Sequence, residues 1–91
     1  MKGSEKQIKW AEDIKRGAMD TLTNNLERMK NSKHKEYYKI TIQVFEELKK
    51  ELEECFEKVD DAKVIIENRA QFASDRILKM ASWREERIRR G

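Results

Sequence analysis

Glutamate and arginine carry most of the chemistry this chain can offer. Glu46, Glu47, Glu51, Glu53, Glu54 and Glu57 recur over residues 46–57. On a helix they form an acidic face that suits a basic partner surface. Adjacent glutamates on one straight helix diverge, so they hold a cation only if another segment supplies converging ligands, and no metal site is expected from them. Lys49, Lys50 and Lys58 interleave with the carboxylates, which argues against mimicry of a DNA backbone. Near the C-terminus stands the opposite sign, Trp83-Arg84-Glu85-Glu86-Arg87-Ile88-Arg89-Arg90. On a helix Trp83, Arg87 and Arg90 share one side. Arginine takes phosphate in a fork, and tryptophan stacks on a base or anchors an interface. The plainer role for such arginines is to complement the helix dipole, and Glu85 and Glu86 interrupt the positive field that phosphate binding wants. Trp10, with Lys2, Lys6 and Lys9 nearby, offers a second basic and aromatic group, or simply closes the end of a bundle. Tyr37 and Tyr38 suit one ring inside and one at the surface.

Catalysis finds little support. His34 is the only histidine and falls in a polar stretch. There is no Glu-x-x-His pair, zinc-protease motif, glycine-rich phosphate loop or nucleophile elbow. Cys55, the only cysteine, sits at an apolar helical position without an evident base, so it reads as a small core residue. The chain is expected to be non-enzymatic, with no cofactor.

The elements that must place these groups are helical. The sequence has 91 residues, no proline and three glycines, so the turns of a sandwich or barrel are missing. Charged residues make up 43% and apolar ones 37%, against about 25% charged in an ordinary domain, which leaves one narrow buried seam. Helices are expected over residues 4–29, 36–59, 61–69 and 74–89, an all-α antiparallel bundle of three main helices in one domain, the last open to a break at residues 70–73. Ser4 and Gln7 have the spacing of a capping box. Ile8, Ala11, Ile14, Ala18, Leu22, Leu26 and Met29 follow at three- and four-residue intervals. Gly17, beside Ala18, suits a close helix approach. Tyr38, Ile42, Phe45, Leu48, Leu52, Cys55, Phe56 and Val59 form the seam of the second helix. Tyr37, Ile40 and Val44 widen its apolar arc enough for two neighbours or a partner. Asp60 or Asp61 suits the cap of the third helix, and Ser74 or Asp75 that of the fourth.

Charge is laid out in blocks. Residues 1–35 carry nine Lys/Arg and five Asp/Glu, residues 36–61 four and nine, and residues 62–91 eight and four, within a net charge of +3. An acidic middle helix between basic neighbours favours antiparallel assembly and leaves surfaces of both signs. No apolar run approaches the roughly 20 residues needed to span a membrane, and no signal-like stretch opens the chain. A single cysteine agrees with a reducing compartment, so a cytoplasmic protein is expected.

The stretch GSEKQIKWAEDI, Gly3 to Ile14, resembles the N-terminus of small helical proteins from phages and mobile elements of Firmicutes, with Lys6, Gln7, Trp10, Ala11 and Ile14 in the same local pattern. DDAKVII, Asp60 to Ile66, is similar to a second segment of those proteins. The resemblance implies a compact helical protein of phage, plasmid or integrated-element origin, and no catalytic residue.

Two functions fit. One is a protein-binding module, a stoichiometric inhibitor of a host defence nuclease such as a CRISPR effector or another nucleic-acid enzyme, acting through Tyr37, Glu46, Glu47, Glu51 and Glu54. The alternative is a small nucleic-acid-binding accessory protein using Lys2, Lys6, Lys9, Trp10, Trp83, Arg84, Arg87, Arg89 and Arg90. Neither excludes a homodimer.

Overall fold

The first helix starts where the capping box predicts. In the computed structural model, which describes residues Met1–Gly91, Ser4 is extended and its hydroxyl accepts the Gln7 backbone N–H at 3.2 Å. The Gln7 side chain accepts the Ser4 N–H at 3.0 Å. Helix α1 then runs over Glu5–Lys30. Upstream, the Lys2 N–H donates to the Asp60 carbonyl at 2.8 Å, and the Ala62 N–H donates to the Lys2 carbonyl at 2.9 Å. This pins the N-terminal strap to the joint between the second and third helices. The strap reaches the box through Gly3 at φ 134°, where a Cβ would lie 3.1 Å from the Ala62 Cβ.

Helix α2 spans Lys39–Lys58, α3 spans Ala62–Glu67, a 3₁₀ turn covers Arg69–Phe72, and α4 spans Ser74–Arg90. The chain is all-α, and no helix is long and apolar enough to cross a membrane. Lys30 meets Glu46 at 2.8 Å and Lys15 lies over the Phe56 ring, so α1 and α2 are antiparallel. Contacts from Glu51 to Arg84 and Thr41 to Glu85 set α4 antiparallel to α2, and Thr21 joins Ser74 at the start of α4 to α1.

Eleven residues are buried, in two clusters. The main one joins Ala18, Leu22 and Leu26 of α1, Val44, Phe45 and Leu48 of α2, and Ile77 and Ala81 of α4. The smaller one sets Ala11 of α1 against Ala62 and Ile65 of α3, where two alanines permit close approach. Phe72 packs against both clusters, so the 3₁₀ turn ties them together.

Most helix ends lie where local signals place them, and the departures have physical causes. The linker after α1 extends to Tyr38, and α2 starts at Lys39, three residues beyond the expected start at Glu36. The N–H groups of Tyr37, Tyr38 and Lys39 bond three residues back, to His34, Lys35 and Glu36, which is turn geometry. The α pattern starts when Ile42 bonds Tyr38. Tyr37 is 74% exposed and meets the half-buried Tyr38 edge to face, with ring centres 5.2 Å apart. Asp61 caps α3 by accepting the Lys63 N–H. Neither Ser74 nor Asp75 caps α4. Ala73 takes that place, and the Ser74 hydroxyl lies 2.8 Å from that of Thr21. Residues 69–73 form a true break, ending in extended Ala73. Gly17 faces open space and admits no neighbouring helix. Cys55 is exposed, not a core residue. The apolar face of α2 outruns its neighbours, because α3 packs on α1 instead of on α2.

Candidate protein-binding face

The unmatched half of α2 leaves an apolar trough. Leu48, Leu52 and Cys55 form one wall, and Phe72, Ile77 and Met80 the other, around a hollow of about 250 Å³. A second hollow of about 210 Å³ continues it past Cys55, Phe56 and Phe72 to Val59, Val64 and Ile65. The Phe56 and Phe72 rings, 5.1 Å apart, brace the two sides. From Leu48 to Val59 the α2 wall runs roughly 16 Å at helical rise.

A bidentate ion pair stands on the trough wall. Arg84 donates to both carboxylate oxygens of Glu51, one contact at 2.6 Å. These bonds hold the Glu51 carboxyl below the ordinary glutamate range and push the Arg84 guanidinium up, with partial desolvation opposing both. Glu47 lies close enough to add to the field on Arg84. Further along, the Thr41 hydroxyl donates to Glu85 at 2.6 Å and Arg89 donates to the same carboxylate at 2.8 Å. Burial alone would raise the Glu85 pKa, but these bonds outweigh it and the net shift is downward.

The acidic positions expected to meet a partner divide in two. Glu46 is held by Lys30 and Glu51 by Arg84, both bridging helices of this chain. Glu47 makes only a bond from Gln43, and Glu54 is exposed and outside every ion pair, as are Glu53 and Glu57. Tyr37 projects from the linker before α2.

The basic positions divide as well. Arg84, Arg89 and Arg90 are paired with Glu51, Glu85 and Glu86, so Arg87 alone of the four terminal candidates has no carboxylate partner. Trp83 is 52% exposed, with Lys79 over its ring at 5.5 Å, and borders a hollow shared with Arg76 and Arg87. Sequence reasoning passed over Arg76 and Lys79. Their spacing from Trp83 on α4, at i−7 and i−4, was the signal for them. Trp10 is 48% exposed under the Arg69 guanidinium, 5.3 Å from its ring centre, with Lys6 and Lys9 exposed on the same helix end and Lys2 in the strap. Because α1 and α4 meet at Thr21 and Ser74, Trp10 and Trp83 lie roughly 30 Å apart along the helix axes. The two basic groups therefore do not form one surface.

No group of three or more His, Cys, Asp or Glu side chains is placed to hold a metal ion. His34 stands in the linker with its N–H on the Ser32 hydroxyl, remote from Cys55. No protein-family model, curated protein or solved structure matches this chain.

Proposed function

We propose that this chain is a non-enzymatic protein-binding module of phage or mobile-element origin. In this reading it works in the cytoplasm as a stoichiometric inhibitor of a host defence nuclease, of the anti-CRISPR type. The observation that carries it is the division of charge. The terminal arginines are largely spent on glutamates within the chain, whereas Glu53 and Glu57 stay exposed on α2 and outside every ion pair. An acidic ridge on a rigid helix complements the basic channel through which a nuclease holds its nucleic acid, and such complementarity speeds encounter and fixes register. Occlusion needs no catalytic group. The origin rests on the resemblance of GSEKQIKWAEDI and DDAKVII.

The test is cleavage by a purified CRISPR effector nuclease titrated with the chain. Loss of cleavage at equimolar protein supports the reading, and reversal of Glu53 and Glu57 to lysine should weaken inhibition at least tenfold. Undiminished cleavage at large excess over a panel of such nucleases overturns it. The exposed Trp83 beside Arg76, Lys79 and Arg87 favours a second reading, nucleic-acid binding by α4. That reading demands a Kd that rises steeply with salt.

A further inference from the structure

We propose that the face formed by α2, the trough and α4 takes a second copy of this chain, an assembly separate from the nuclease binding proposed above. The first argument is area. The chain exposes 6775 Å², whereas a folded monomer of its mass exposes about 5,600 Å². The excess of roughly 1,100 Å² exceeds the about 800 Å² that each partner gives to a standard interface. Its radius of gyration is 14.7 Å, against about 12 Å for a globule of this length. On the α2–α4 side of the molecule Leu52, Cys55, Phe72 and Met80 line an open trough.

The second argument is charge. Along one edge of the trough α2 presents Glu47 and Glu54, and along the other α4 presents Arg76 and Arg87, none of them in an ion pair. A two-fold axis running along the trough lays each acidic edge on the other copy's basic edge. Antiparallel α2 and α4 then set Glu47 near the level of Arg87 and Glu54 nearer Arg76. The same operation closes trough on trough, making a four-helix layer with Cys55 inside it. Such an interface is isologous and closed. The ridge at Glu53 and Glu57 stays outside.

Sedimentation of the full chain from low to high micromolar concentration tests this. A species of twice the chain mass is expected, and a monomer throughout overturns the proposal. Glu47→Arg with Glu54→Arg should raise the dimer Kd at least tenfold, with circular dichroism confirming the helices. Adding Arg76→Glu and Arg87→Glu should restore the dimer, and failure of that rescue overturns the assigned pairing. On the unaltered chain, the maleimide reaction rate of Cys55 should fall as the protein is concentrated. A constant rate contradicts burial of the trough. Arg76→Glu with Arg87→Glu breaks the same pairing without touching the acidic residues of α2, so nuclease inhibition that survives in that monomeric variant leaves the function proposed above intact, and the two claims fail separately.

Discussion

Leu22→Ala removes the side chain at the junction of the three long helices, where Leu22 is 0% exposed among Ala18, Leu26, Val44, Leu48 and Ile77. Comparable buried leucines cost about 3–5 kcal/mol on truncation, from lost transfer energy and the cavity left behind. A chain of this length has roughly 5–14 kcal/mol of stability in all. With eleven residues buried, this one belongs toward the lower end, so a single truncation takes a large share. At about 4–8 °C per kcal/mol for a domain of this size, Tm should fall by roughly 12 °C or more. The assay is thermal unfolding followed by circular dichroism at low micromolar protein, with Leu78→Ala as the control, since Leu78 is 40% exposed and should lose less than half as much. Equal losses in the two variants would refute the assignment of the main core. The consequence reaches the binding face, because the same cluster anchors α4 against α2 and sets the width of the trough.

Two glycine substitutions should act with opposite sign. Gly3→Ala places a Cβ 3.1 Å from the Ala62 Cβ at φ 134°, and should cost about 1–3 kcal/mol in urea unfolding through strain at the strap. Gly17→Ala meets nothing within 4 Å inside α1, and should stabilise by about 0.5–1 kcal/mol in the same assay. For Glu51→Gln the sign follows from linkage. The folded pKa of Glu51 lies below its unfolded value, so its contribution is full above the ordinary glutamate range and is lost as pH falls through the depressed folded value. The pair is partly exposed, 33% for Arg84 and 53% for Glu51, which limits the loss at pH 7 to about 1 kcal/mol or less. Urea midpoints of the two proteins should therefore differ at pH 7 and converge in acid, and a gap that widens in acid would contradict the assignment.

What could be read from the residues alone was what depends on near neighbours in sequence. The Ser4 box and the Asp61 cap are closed by side chains two or three residues from their backbone partners. The α1 stripe is one helical face, and Ala11, Ala18, Leu22 and Leu26 are buried as its period predicts. What escaped depends on which elements meet. Cys55 has the right phase for the α2 seam, but phase does not say whether a neighbour covers that part of the helix, and α3 turns instead onto α1 through Ala11 and Ala62. Glu51 and Glu46 belong to an acidic run, yet each is spent on a cation from a distant segment, Arg84 and Lys30. Tyr38 continues the α2 periodicity although tight turns hold it outside the helix, because the turn bonds before it supply a regular spacing of their own.

The central proposal is that this chain meets protein and not nucleic acid. The direct measurement is calorimetric titration of the chain into a purified CRISPR effector nuclease, with duplex DNA and single-stranded RNA titrated in parallel at two salt concentrations. A saturable complex of fixed stoichiometry with the nuclease, weakened by lysine at Glu53 and Glu57, is expected, with no comparable heat from either nucleic acid. Salt-sensitive binding to DNA or RNA, lost with Trp83→Ala and Arg87→Ala and accompanied by silence toward the nuclease, would contradict it.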